Sequence, residues 1–143
     1  MTPNFFIDTA NLDDIERIWE KLVTAGINAK SLRGITTNPN ALDKIQCYDI
    51  KTFGTVVRNL TNFLNKIQAP HATVHVQMPQ STMSDNQLCI WVSYIKQLSN
   101  KLTLKVSPYD RTLRQLLYNG VFGLIPINVT GVSDAVTAFR CFT

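Results

Sequence analysis

The feature that most restricts the fold of this chain is a regular alternation between short apolar strand patterns and helical patterns. The strand patterns lie at 5–9, 31–38, 73–78, 101–108 and 124–130. Between them, apolar residues recur three and four positions apart, as they do in amphipathic helices. Strands that alternate with helices in this way are typical of βα units on a parallel sheet. The sequence therefore predicts an α/β fold in a single domain that spans residues 1–143.

Capping signals support the predicted helices. Asn11 is suited to cap the first helix, which has acidic residues in its first turn and Lys21 in its last. Gly120 is suited to end the fifth helix, and Ser133 is suited to cap the sixth. The predicted helical segments are 12–26, a short one near 41–42, 52–67, 84–98, 110–119 and 133–143.

Composition restricts the functional classes. The 143 residues are 45% hydrophobic and 17% charged, as in ordinary globular proteins. The net charge is +4, but the basic residues are spread along the chain, so we expect no nucleic-acid partner. The sequence contains no apolar stretch long enough to cross a bilayer and no signal-peptide pattern at its N-terminus. We therefore expect no membrane partner and a cytoplasmic location.

The cysteines do not form a recognisable framework. Cys47, Cys89 and Cys141 are odd in number, lie far apart, and are not spaced with histidines at metal-ligand intervals. We expect reduced thiols and no metal site.

The two sides of the predicted strands differ in polarity. One alternating set of residues is apolar, and the other places polar residues at the carboxyl ends of the strands. The polar set consists of Asp8, Thr36, Asn38, Gln77, Lys105, Asn128 and Thr130. An open sheet with helices on both faces would need both sets to be apolar, whereas the top of a barrel interior accepts polar groups. The pattern favours a parallel (β/α) barrel of the TIM type.

Lys105 is the most informative member of the polar set, because it lies inside an apolar strand pattern. Such a lysine either extends to water or lies in a pocket that lowers its pKa. A lowered pKa produces the neutral amine, which attacks carbonyl groups to form a Schiff base. Taken alone, a lysine that extends to water is the commoner case. The convergence of a carboxylate, amides and hydroxyls from other strands favours the reactive amine.

Each of the other polar residues also has a structural interpretation when it is considered singly. Asp8 could cap the turn that follows it, and Asn38 before Pro39 could simply form a turn. Gln77 and Thr130 could satisfy backbone groups. A functional site is favoured because all of these residues fall at the same end of their strands.

Five motifs resemble, in order, those of the small transaldolases and fructose-6-phosphate aldolases. They are Phe5–Asn11, Gly34–Pro39, Val76–Gln77, Leu104–Val106 and Asn128–Thr130. The resemblance runs over essentially the whole chain, and its first two motifs are the most specific. It implies a class I aldolase on a TIM-type barrel that is incomplete here, with about five of the family's eight βα units. It also implies that neither a metal nor an organic cofactor is needed.

The resemblance assigns catalytic roles to four residues. Lys105 matches the lysine that forms a Schiff base with a sugar phosphate and carries a dihydroxyacetone unit. Asp8 matches the residue that moves protons at the reacting hydroxyl. Gln77 and Thr130 match positions that orient a catalytic water. The implied activity is a step of sugar-phosphate metabolism such as the pentose phosphate pathway.

The resemblance also assigns substrate contacts and has clear departures. Thr36 and Asn38 match residues that hold substrate hydroxyls and the lysine, and Asn128 is a third expected substrate contact. Ser107 stands where the family usually has proline, and the run after Thr130 is shortened. The family's phosphate-binding residues belong to units six to eight, which have no counterpart in this sequence.

Two other interpretations remain open at this point. The first is a catalytically impaired homologue that persists as an assembly partner. The second is a small-molecule binding module on a flavodoxin-like sheet, whose strands would not follow the order of the sequence. Five strands cannot close a barrel, so we expect the exposed edges to be covered in a homo-oligomer.

Overall fold

A computed structural model describes residues 4–77 and 84–106 and the backbone of 127–129. In chain order its elements are β1 (Phe5–Asp8), α1 (Leu12–Thr24), a 3₁₀ turn (Ala29–Ser31), β2 (Leu32–Thr36), α2 (Pro39–Lys44), α3 (Ile50–Lys66), β3 (Thr73–Gln77), α4 (Asp85–Leu98), β4 (Leu102–Val106) and β5 (Ile127–Val129). The predicted alternation is confirmed over this part of the chain. The helices predicted at 110–119 and 133–143 lie outside the described residues.

The five strands form one parallel sheet in the order β1-β2-β3-β4-β5. Each strand pairs with its neighbour in the sequence, and all four pairs are parallel. The chain is therefore an α/β protein built from consecutive parallel β/α units. The strand rearrangement that the flavodoxin-like interpretation requires is not observed in this sheet.

The two faces of the sheet differ as the sequence predicts. One face is apolar and almost completely buried, and its residues include Ile7, Ile35, Val74, Val76, Leu104 and Val106. These side chains belong to the same hydrophobic core as Ile15 of α1, Leu42 of α2, Leu60 of α3 and Val92 of α4. All four described helices thus contribute side chains to the core on this face. Each buried aliphatic side chain of such a core contributes roughly 1.5–3 kcal/mol through removal of apolar surface from water.

The opposite face is polar and more accessible. Phe6 on this face is 47% exposed. Thr36, His75, Gln77 and Lys105 are half-buried. Because side chains alternate along a strand, the register places these residues on the face away from the helices.

Side-chain caps fix where the helices begin. Asn11 accepts hydrogen bonds from the backbone N–H groups of Asp13 and Asp14, which confirms the predicted start of α1. Ser84 and Gln87 form a reciprocal capping box at the start of α4. Helix α3 begins two residues earlier than predicted, because Asp49 supplies its cap.

The two cysteines in the described part of the chain, Cys47 and Cys89, are free thiols, as predicted. Burial, with a smaller contribution from the charge of Asp49, raises the pKa of Cys47 to about 11. That thiol is therefore protonated and unreactive near neutral pH. Cys141 lies outside the described residues. Among the helices of the described part, none combines the length and the apolar character needed to cross a bilayer.

Gly34 lies in the middle of β2, between Phe6 of β1 and Thr73 of β3. A Cβ atom at this position would overlap the carbonyl oxygen of Thr73 and would lie 3.1 Å from Cε1 of Phe6. The close approach of the neighbouring strand therefore requires glycine here.

We expect Gly34→Ala to destabilise the protein by about 1–3 kcal/mol, because the methyl group overpacks the junction of β2 and β3. Urea unfolding measures the change. Combining it with Phe6→Leu should not restore stability, since the nearer obstacle is the backbone of Thr73. Wild-type stability in Gly34→Ala would contradict the register of these two strands.

Candidate active site

The carboxyl ends of the strands bring the predicted residues to one edge of the sheet. Asp8 pairs with Thr36 across β1 and β2. Gln77 pairs with Lys105 across β3 and β4, and Lys105 pairs with Asn128 across β4 and β5. Asp8, Thr36, Gln77 and Lys105 therefore share the face and the edge that the sequence predicts, and the backbone of Asn128 is in register with Lys105.

The side chain of Lys105 extends across the sheet. Its Nζ donates a hydrogen bond to Oγ1 of Thr36 at 3.0 Å and another to the carbonyl oxygen of Thr37 at 2.8 Å. Both acceptors belong to the end of β2, whereas the lysine starts from β4. The side chain consequently passes over β3, which lies between these strands.

The environment of this amine shifts its protonation equilibrium towards the neutral form. Burial lowers the pKa of Lys105, and the negative charge of Asp8 opposes that shift to a smaller extent. A neutral amine has two N–H groups and one lone pair. Donation to Thr36 and Thr37 occupies both N–H groups, so the lone pair remains for attack on a carbonyl carbon.

Asn38 connects the second strand to Asp8. Its Nδ2 donates a hydrogen bond to Oδ1 of Asp8 at 3.2 Å, and its Oδ1 accepts one from the backbone N–H of Ala41 at 2.9 Å. The same side chain therefore caps α2 and orients the carboxylate. Pro39 at the first position of α2 supports this start, because it lacks an N–H group that would need a partner.

His75 is close to the site, although no sequence motif assigns it a role. Its Nε2 lies 2.6 Å from Oγ1 of Thr73. Its ring meets Phe6 edge-on, with the ring centroids 4.9 Å apart. Burial lowers the pKa of His75, and the charge of Lys105 adds to this shift when that amine is protonated, so the imidazole is neutral near neutral pH. The alternation along β3, which places His75 on the side of Gln77, was the signal that could have identified it.

Thr37 was also missed, for a different reason. Its contribution is a backbone carbonyl, which is independent of the side chain and leaves no pattern in the sequence. The backbone N–H of Thr37 donates to the carbonyl oxygen of His75 at 2.9 Å, and this bond holds the end of β2 against β3.

The structure gives fewer details for the other three predicted residues, Gln77, Asn128 and Thr130. Gln77 is half-buried beside Lys105 in the register. The backbone of Asn128 aligns with Lys105 on the other side of β4. Thr130 lies outside the described residues.

A cavity of about 470 Å³ opens beside Asp8 and Asn38 and continues between α1 and α2. This volume lies in the range of small-molecule sites. Arg17 and Lys44 contribute positive charge to its lining, and Asp14, which is paired with Arg17 at 2.8 Å, contributes negative charge. The cavity therefore presents charges of both signs next to the carboxylate of Asp8.

Within residues 4–77 and 84–106, no group of three or more His, Cys, Asp or Glu side chains is arranged to hold a metal ion. Comparison of the chain with protein-family models and with curated proteins gives no match. These comparisons identify no family.

The double role of Asn38 leads to a testable expectation. Asn38→Ala should lower the free energy of unfolding by about 1 kcal/mol, the usual cost of losing an N-cap. Asn38→Asp keeps the cap acceptor but faces Asp8 with a second carboxylate. It should therefore lose stability at pH 7 and regain part of it when one carboxyl group is protonated at pH 4.

Denaturant unfolding of both variants at the two pH values measures these effects. Asp49→Asn, which changes a cap far from Asp8 on α3, is the control for altering a cap residue. Equal stability of Asn38→Asp relative to the wild type at both pH values would contradict the contact between Asn38 and Asp8.

Proposed function

We propose that the chain is a transaldolase-like class I aldolase, in which Lys105 forms a Schiff base with the ketone of a ketose phosphate. A dihydroxyacetone unit is then transferred to another aldehyde or released. The observation that carries this proposal is the half-buried amine of Lys105, with its pKa lowered by burial and its N–H groups directed to Thr36 and Thr37. The motif resemblance points to the same lysine.

The proposed architecture is a TIM-type (β/α) barrel of which this chain supplies about five of eight units. Its support is the sequential order of parallel strands, with helices packed on one face and polar groups on the other. Strands two apart in a flat sheet are separated by about 10 Å. The contact between Lys105 and Thr36 spans that separation, which favours a sheet that is concave on its polar face.

The first half of the proposed reaction makes the Schiff base. The lone pair of the Lys105 amine forms a bond to C2 of the ketose, and the carbonyl π electrons move to its oxygen, which takes up a proton. The carbinolamine then loses water, and a C=N bond replaces the C–O bond. The protonated nitrogen becomes the electron sink, and this is why the proposed chemistry requires neither a metal nor an organic cofactor.

The second half breaks the carbon chain. The carboxylate of Asp8 accepts the proton of the C4 hydroxyl, the C4–O bond becomes a carbonyl, and the C3–C4 bond breaks. The electron pair of that bond forms an enamine with the lysine nitrogen, and an aldehyde phosphate leaves. The enamine then adds to a second aldehyde, or it is protonated and hydrolysed to dihydroxyacetone.

The other residues have supporting roles in this proposal. Thr36 and Asn38 hold substrate hydroxyls in addition to Lys105 and Asp8, and Asn128 contacts the substrate from β5. Gln77 and Thr130 orient the water that enters during hydrolysis. Within the described residues β1 pairs on one side only, with β2. A second copy of the chain that covers this edge is therefore part of the proposal.

Borohydride trapping tests the proposed intermediate. With dihydroxyacetone or fructose 6-phosphate, the wild-type protein should gain a reduced adduct on Lys105, found by mass spectrometry of its peptides. The trapping rate should rise with pH and reach half its maximum below the usual range for a lysine, since only the neutral amine reacts and burial favours it.

Lys105→Met should abolish the adduct, and Lys101→Met is the matched control. Lys101 precedes the same strand at its other end, where its Nζ donates to the carbonyl oxygen of Pro70 at 3.0 Å. An adduct on a different lysine, or none, would refute the Schiff-base proposal. An adduct on Lys105 without cleavage of fructose 6-phosphate would identify the catalytically impaired homologue instead.

A further inference from the structure

We propose that His75 is a positioning residue whose ring forms the floor beneath the Lys105 side chain and keeps water away from its amine. The role of His75 in the reaction rests on the proposed function, because it presupposes that the Lys105 amine attacks a carbonyl group. As a statement about Lys105 itself, the inference is testable without any carbonyl substrate.

The strand order places the ring beneath the lysine. Lys105 starts on β4 and its Nζ is bonded to residues at the end of β2, so the side chain crosses the polar face of β3. The residues of β3 on that face are Thr73, His75 and Gln77. In the register, His75 pairs with Thr36, the residue that accepts from Nζ, so the lysine passes over or beside the imidazole.

Neighbouring groups fix the orientation of the ring. The Oγ1 of Thr73 contacts its Nε2 at 2.6 Å, and the ring of Phe6 meets it from β1 with a centroid separation of 4.9 Å. Phe6 and His75 lie two strands apart, and Gly34 of the strand between them has no side chain that would separate the rings. A bulkier residue at Gly34 would stand between them. This contact holds the ring of His75 edge-on against the ring of Phe6 on the polar face of the sheet.

The charged groups near the amine indicate how the ring of His75 would affect the pKa of Lys105. The titratable groups on this face of the described sheet are Asp8 of β1, His75 of β3 and Lys105 itself, while Thr36 of β2 is neutral. The helices pack on the opposite face. Burial is the largest cause of the lowered pKa of Lys105, and Asp8 acts against it. A ring that excludes water from the amine therefore lowers the pKa of Lys105. The nearby carboxylate of Asp8 alone would raise it.

Three variants separate the floor from other roles of the histidine. His75→Ala removes the ring and admits water, so the pKa of Lys105 should rise. His75→Phe retains a ring of similar size without its nitrogens and should preserve the low value. Thr73→Val removes the anchoring hydroxyl at nearly constant volume, so it should shift the pKa in the direction of His75→Ala by a smaller amount.

Competitive acetylation of the native protein over a range of pH measures the reactivity of Lys105 directly, with Lys101 as the internal reference. For each unit by which the pKa of Lys105 rises, its labelling at neutral pH should fall about tenfold and should recover at higher pH. His71→Ala is the matched control, because His71 is exposed and precedes β3. Its curve should coincide with the wild type. Circular dichroism establishes that each variant is folded.

Two results would overturn the proposal. One is a His75→Ala curve that coincides with the wild type, and the other is a His75→Phe curve that shifts as far as that of His75→Ala. If His75→Ala does not fold, Thr73→Val provides the test. A Lys105 labelling curve shifted to higher pH in Thr73→Val supports the proposed role of His75, and an unshifted curve overturns it.

Failure of the His75 proposal can be distinguished from failure of the aldolase proposal. If the labelling curves shift as expected but borohydride traps no adduct, the floor is correct and the Schiff-base function is wrong. If borohydride traps an adduct on Lys105 while the labelling curves coincide, the function is correct and His75 does not position the amine.

Discussion

The site depends on the contact that Lys105 makes with the end of the second strand. A charged ammonium would lose hydration in this half-buried position. Among the described residues, Nζ donates to two acceptors, Oγ1 of Thr36 and the carbonyl oxygen of Thr37. Burial lowers the pKa of this amine. When the amine is neutral, donation to these two acceptors uses both of its N–H groups and leaves its lone pair available. The rest of the sheet is arranged so that a side chain from the fourth strand reaches the second.

That arrangement follows from the unequal faces of the sheet. Apolar residues on one face are buried under the four helices, and this burial supplies most of the stabilisation. The other face carries the polar groups, and the four helices in the described part of the chain lie on the apolar side. Because all the strands are parallel, their carboxyl ends meet at one edge, where Asp8, Asn38 and Lys105 come together. The hydrophobic core and the candidate site thus have a common origin in the alternation along each strand.

Much of this was predictable from the sequence because alternation is a local property. The strands, the polar set and the position of Lys105 on the polar face follow from period-two patterns, and the cap of α1 follows from Asn11. The contacts of His75 and Thr37 were not predictable. The first depends on the ring of Phe6 meeting it above Gly34, and the second on a backbone carbonyl. Both arise when strands distant in sequence are brought into register, which no local pattern records.

The protonation state of Lys105 is the central claim, and NMR of the protein with ¹³C-labelled lysine Cε atoms measures it most directly. The Lys105 resonance is assigned by its loss in Lys105→Arg. The account predicts a titration midpoint below the usual range for lysine, in the wild-type protein without any substrate. A midpoint within the usual range would show a fully hydrated ammonium and would contradict the account.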